Sequence, residues 1–180
     1  NGTTGLIRVP HDGSLSFDMD TESHTIALWV YSSVLPAANL TFLQDRWNSN
    51  GAVSYSEALV VSRTGATPPL IASDSWYGAV QNVGFAVVSP TTSFVGAWRH
   101  VATTYDAASG IKKLYIDGVL VDSANRPPQP FTPANSAKTM TVGGAWYPGA
   151  VQHLNGRIDD LRCYNRALSA AEIALLGPPR

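Results

Sequence analysis

The stretch Thr25-Ile-Ala-Leu-Trp-Val-Tyr31 constrains the fold more than any other part of the sequence. It alternates Ile26, Leu28 and Val30 with Ala27, Trp29 and Tyr31, so a strand there is apolar on both faces. Such a strand belongs inside a layered structure, with material packed above and below it. Further runs of strand character fall at 5–9, 38–44, 57–62, 83–88, 99–105, 113–116, 119–124, 139–142 and 156–164. Clusters of Gly, Pro, Asn, Asp and Ser separate them, the spacing of an antiparallel sandwich. One hairpin is written out in full. Leu114-Tyr-Ile leads into Asp117-Gly118 and out through Val119-Leu-Val, a two-residue turn suited to type I′. Residues 106–110 make a looser turn before it. Helical pattern occurs only over 170–176, where Ser169 and Glu172 match the S-x-x-E capping box and Gly177-Pro-Pro ends the helix. Residues 1–177 thus read as one all-β domain and 178–180 as the start of a linker, with 126–133 a proline-rich crossing loop.

A chain of 180 residues suffices for one sizeable core. With 44% hydrophobic and 14% charged residues, the composition is that of a folded chain. Twelve Lys and Arg against thirteen Asp and Glu leave a net charge of -1, so no basic stripe invites nucleic acid or an anionic membrane surface. No apolar run reaches the roughly 18 residues of a membrane helix. The sequence opens at Asn1 without a methionine, which reads as a processed or excised piece and leaves any leader undetermined. Cys163 is the sole cysteine, so no internal disulfide forms, and it reads as a small buried hydrophobe. The sequons Asn1-Gly-Thr and Asn39-Leu-Thr matter only in a eukaryotic secretory pathway.

Four blocks in order carry a family resemblance: Trp98-Arg-His-Val-Ala-Thr-Thr-Tyr-Asp106, Leu114-Tyr-Ile-Asp-Gly118, Val142-Gly-Gly144 and Asn155-Gly-Arg-Ile-Asp-Asp-Leu-Arg-Cys-Tyr-Asn-Arg-Ala-Leu-Ser169. Together with residues 1–10 and 25–30 they resemble the laminin-G-like, concanavalin A-like domains of secreted and surface proteins. The resemblance implies a two-sheet antiparallel jelly-roll sandwich with a short C-terminal helix. It also implies an extracellular or cell-surface setting, and a concave face and loop rim that in many relatives bind sugars or proteins. Relatives generally begin with one more strand than this chain does. The resemblance therefore implies an open sheet edge, to be completed by another part of the protein or by a partner. Many relatives hold a structural Ca²⁺ through an aspartate at the start of the last strand. Asp159 stands at the matching position with Asp160 beside it, and hard oxygen ligands suit that ion. The competing reading is that either aspartate pairs with Arg157 or Arg162, or caps a loop.

Some jelly-roll relatives are glycosidases, which need carboxylates paired on one face of a strand. The chain has only three glutamates, Glu22, Glu57 and Glu172. Asp18-Met-Asp-Thr-Glu22 supplies three carboxylates at alternate positions, but where the family has a turn. It reads first as a solvated turn, then as a calcium-favouring loop, and last as a catalytic group. No G-x-S-x-G occurs, and His11, His24, His100 and His153 lack ligand spacing.

The tryptophans divide the sequence into core and candidate site. Trp29 and Trp98 fall in strand patterns and read as core, and His100 as structural. Trp47, Trp76 and Trp146 fall in Gly-, Ser- and Asn-rich segments, the last two followed by Tyr77 and Tyr147. Large aromatics on loops are costly in water unless they pack or bind. A sugar ring presents an apolar C–H face and a hydroxyl rim, which calls for an aromatic platform with fixed polar groups. Asp45, Arg46, Asn48, Arg63, Asp74, Gln81, Asn82, Gln152 and a loop His153 are the polar candidates. The alternative is that each loop tryptophan plugs an end of the sandwich. The expected function is a non-catalytic carbohydrate-binding module for a glycan or polysaccharide. A protein-interaction or adhesion module comes second and a glycoside hydrolase third.

Overall fold

The computed structural model describes residues 5–10, 22–34, 40–45, 55–61, 71–76, 85–88, 95–125, 139–147 and 150–177. In chain order the first strands are β1 (Ile7–Pro10), β2 (His24–Ser32), β3 (Leu40–Asp45), β4 (Tyr55–Val61), β5 (Ile71–Trp76) and β6 (Phe85–Val88). β7 (Arg99–Asp106), β8 (Ile111–Ile116) and β9 (Val119–Asn125) follow. The chain closes with β10 (Thr139–Val142), β11 (Gly144–Tyr147), β12 (Ala150–His153), β13 (Gly156–Tyr164) and the helix α1 (Ala170–Leu176). One sheet runs β1-β10-β3-β4-β5-β6 and the other β13-β2-β7-β8-β9, all antiparallel, with β11 and β12 forming a separate hairpin. The expected all-β, two-sheet sandwich with a short C-terminal helix is the observed fold.

β2 is covered on both faces, as its sequence demands. Ile26, Leu28 and Val30 enter the core between the sheets, against Phe42, Leu43, Ile71, Met140 and Val142 of the six-stranded sheet. Burying a side chain of this size contributes roughly 1.5–3 kcal/mol. On the outer face Ala27 joins Ala102, Tyr115, Leu168 and Ile173, so the C-terminal segment and α1 form the cover. Trp29 is buried as expected and tilts onto His100 at 5.4 Å. Trp98 departs from expectation: it precedes β7, is only half-buried, and leans on Tyr31 with ring centroids 5.7 Å apart. Cys163 is likewise half-buried, packing against the core from the edge strand β13.

One hydroxyl ties the cover to the sheet. Thr25 Oγ1 donates to the Arg166 carbonyl at 2.8 Å and accepts from the Leu168 N–H at 2.9 Å. Thr25→Val keeps the shape but leaves both backbone groups without that partner. A loss of about 1–3 kcal/mol in urea unfolding is expected, with Thr25→Ser close to wild type.

α1 begins with the capping box that the sequence announces. Glu172 N–H donates to Ser169 Oγ, and Ser169 N–H donates to Glu172 Oε2. Arg166 grips the same carboxylate with two N–H groups. That grip, then the Ser169 backbone bond, holds Glu172 down to about 2. A helix of seven residues has too little internal stability to stand alone, and buried Ile173 anchors it to the sheet.

The β8–β9 turn is type I′, with φ of 52° at Asp117 and 80° at Gly118. Asp117 also clamps β7, accepting from His100 N–H at 2.9 Å and from Arg99 at 2.8 Å. His100 itself is buried, and burial pushes its pKa below the ordinary 6.5, against the opposing pull of Asp117. As pH falls the unfolded chain takes that proton first, so this contribution is intact above about pH 6.5 and lost below it. Denaturation midpoints measured from pH 7.5 to 5 are expected to fall, and to fall less in His100→Gln.

β13 has a defended edge. Its register slips between Asp159 and Arg162, Asp160 takes a φ of 50°, and Asp160 pairs with Arg162 at 2.8 Å. A bulge and charges of this kind discourage strand addition. Among the described residues no helix is long and apolar enough to cross a membrane.

Candidate functional site

Three short strands lie where the sequence reading has irregular segments, and they carry much of the candidate site. Asp74 and Trp76 are on β5, Trp146 and Tyr147 on β11, and His153 at the end of β12. Trp76 and Trp146 are therefore strand residues, not loop residues. Arg46, Trp47, Asn48, Arg63, Tyr77, Gln81 and Asn82 lie outside the described residues.

The pairing of β3, β4 and β5 brings two parts of the site to one end of the six-stranded sheet. β3 ends at Asp45, which pairs with Glu57 of β4 and Met140 of β10. β5 ends at Trp76, opposite Tyr55 at the start of β4. The segments that begin with Arg46-Trp47 and with Tyr77 thus leave from the same end. Asp74 is separated from Asp45 by register: it pairs with Ala58, whose other neighbour is Gln44, so the two aspartates take alternate positions of the pleat. Among the described pairings, Asp45–Glu57 is the one register position that sets two acidic residues opposite each other.

The hairpin β11–β12 contributes from beside β3. Trp146 pairs with Val151 and Tyr147 with Ala150, at the far end from its base at Gly144–His153. Gly143, with a φ of 85°, turns the chain from β10 into this hairpin and donates to the Phe42 carbonyl at 2.8 Å. His153 is not on a rim loop. It is half-buried at the hairpin base, and its Nδ1 is buried without a hydrogen-bond partner among the described residues. That position sets it apart from the strand end at Asp45 and Trp76.

The calcium expectation rests on Asp159 and Asp160. Both oxygens of Asp160 are engaged by Arg162, at 2.9 and 2.8 Å, which is the competing ion-pair reading of the sequence. Asp159 Oδ1 accepts from Asp160 N–H at 2.8 Å. Among the described residues no three His, Cys, Asp or Glu side chains gather as metal ligands. The described side chains alone do not form a calcium cage. Of the Asp18, Asp20 and Glu22 cluster, only Glu22 is described, and it is exposed.

Sequence reasoning missed Lys112. It is fully buried on the inner face of β8, opposite Tyr105. The signal was its position two residues before Leu114 and four before Ile116, the core side of the strand.

No curated protein matches this sequence. Among solved structures, domain 4 of the GH43 extracellular arabinanase AbnA from Geobacillus stearothermophilus, in complex with arabinotriose, superposes with a TM-score of 0.67 at 24% identity. That match covers 96% of this chain and 72% of the other. The CBM40 of the Ruminococcus gnavus IT-sialidase, bound to α2,6 sialyllactose, gives 0.71 at 15% identity over 98% of both chains. The native heptameric SAP-like pentraxin from Limulus polyphemus gives 0.64 at 12%, covering 88% of this chain and 70% of that one. At these identities the likeness is one of fold. The sequence itself goes further, since the family model described as the concanavalin A-like lectin/glucanases superfamily matches residues 1–174. With a match over that much of its length, and a two-sheet antiparallel sandwich as its fold, the chain belongs to the concanavalin A-like lectin/glucanases superfamily.

Proposed function

We propose that this domain is a non-catalytic carbohydrate-binding module of a larger secreted or surface protein. Its glycan site is at the end of the six-stranded sheet where β3 and β5 terminate. The observation that carries the reading is that β3 and β5 end there, at Asp45 and Trp76, and that the sequence continues from them with Arg46-Trp47 and Tyr77, an aromatic-plus-polar combination. Fold likeness to modules solved with arabinotriose and sialyllactose supports the same class of ligand. Trp146 and Tyr147, on the hairpin beside β3, form a second aromatic contributor.

A glycan array probed with the folded domain tests this. Binding to at least one glycan is expected, with Trp76→Ala weakening it by about tenfold or more through lost stacking surface. Absence of binding from folded protein would overturn the reading. Calcium remains a proposal at Asp159, and repeating the array with a chelator reports on it. Asp45 and Glu57 are where hydrolysis would be sought, and release of reducing sugar by the pure domain would overturn the non-catalytic part.

A protein-interaction module is the second reading. One observation favours it: Val119 and Leu120 on the edge strand β9 are exposed, as is Leu175 on the helix that packs against β9. Exposed apolar side chains on an edge strand and on its neighbouring helix offer surface that a protein partner would cover.

A further inference from the structure

A groove of about 390 Å³ opens on the outer face of the five-stranded sheet, on the opposite side of β2 from the core. Its volume is near the lower end of small-molecule sites, roughly 300–1,000 Å³. One wall is the β7–β8 turn, with Asp106 and Ser109. The other is the C-terminal segment Arg166-Ala-Leu168 on its way into α1. Thr104, Lys113 and Ile111 contribute from the strands between. None of these residues belongs to the candidate glycan site.

The polar groups of this groove are held in place by the protein's own bonds. Asp106 accepts from Ser109 Oγ at 2.6 Å and from Ala108 N–H at 3.2 Å. The Ser109 bond is the main reason its pKa lies below the ordinary carboxylate value, and it remains an acceptor at neutral pH. Arg166 is fixed by its two bonds to Glu172. Lys113 has no ion-pair partner among the described residues, and its ammonium carries three donors. Prefixed donors and acceptors reduce the entropy cost of binding.

Charge decides the ligand class. Asp106 balances Lys113, and Glu172 balances Arg166, so the groove has little net charge with which to attract a phosphate or a metal ion. A carboxylate acceptor, cationic donors and hydroxyls lie around the apolar surface of Ile111, Ala167 and Leu168. That is the complement of a ring with C–H faces and a hydroxyl rim.

We infer that this groove is a second carbohydrate site, for one or two residues of a neutral saccharide, independent of the site at the sheet end. A module with sites on two faces would hold two chains, or two stretches of one chain, at once, which raises avidity without added affinity at either site.

Titration of ¹⁵N-labelled domain with lactose, maltotriose and arabinotriose, each to tens of millimolar, tests the inference by amide chemical shift. Saturable shifts at Ala107, Ala108, Ile111 and Leu168 are expected with at least one sugar. They should persist in Trp76→Ala, which separates this site from the proposed principal one. Lys113→Ala is expected to weaken that binding by about tenfold, the worth of one charge-assisted hydrogen bond. Ala167→Phe, which fills the groove and removes no polar group, should abolish it. Folded protein showing no shifts at these amides with any of the three sugars would overturn the inference. So would shifts that are unchanged in both Lys113→Ala and Ala167→Phe.

Discussion

Gly156→Ala is expected to be the most damaging alanine substitution among the described glycines, costing on the order of 4 kcal/mol. A Cβ at this position would sit 2.0 Å from the Tyr31 carbonyl oxygen and 3.1 Å from the Ser32 Cα. Both obstacles are backbone atoms of β2, a buried inner strand, so no side chain can swing aside. Gly156 starts β13 opposite Ser32, whose hydroxyl donates to the Asn155 carbonyl at 3.0 Å. Relief therefore means parting the first residues of β13 from β2. Thermal unfolding should report a midpoint lower by roughly 10 °C for a domain of this size. A midpoint within a degree or two of wild type would mean that the two strands are not this close.

Phe42→Ala is expected to cost about 3–5 kcal/mol, measured as a lower urea midpoint with an unchanged slope. Phe42 is fully buried, and among the described side chains it is the largest that the six-stranded sheet gives to the shared core. Truncation removes apolar contact and leaves a cavity bounded by β2 and β10, whose backbones are locked in their own sheets. Phe42→Leu retains most of the volume and should recover more than half of the loss. Equal losses in both variants would mean that ring shape matters more than the volume filled.

The two faces of β2 could be read directly because alternation carries the same information as burial. The type I′ turn and the capping box were legible for a similar reason, each being a local bonding pattern with few alternative residues. β5 was not legible. Ile71-Ala-Ser-Asp-Ser-Trp76 places three small polar residues in a row of poor strand formers, and only pairing with β4 and β6 makes it a strand. β11 and β12 are four residues each around Pro148-Gly149, so their turn residues outweigh their strand residues. The site divides along the same line. That Trp76 and Asp45 differ from core residues was visible in their neighbours; that they share one sheet end depends on strand order, which no local pattern records. The groove beside Arg166 was invisible because its two walls are some 60 residues apart in sequence.

Thr25 bonds to groups 141 and 143 residues further along, and β2 pairs with β13 across a similar span. β2, an inner strand of the five-stranded sheet, thus receives one neighbour and its outer cover from a segment synthesised more than a hundred residues later. At about 5–20 residues per second, the ribosome holds β2 unfinished for several seconds or more. During that interval an apolar strand with an open side is present in the nascent chain. Contacts so distant in sequence also slow folding once synthesis is complete. Expression yield should therefore respond more sharply to chaperone supply and to lesions after residue 156 than native stability alone would suggest.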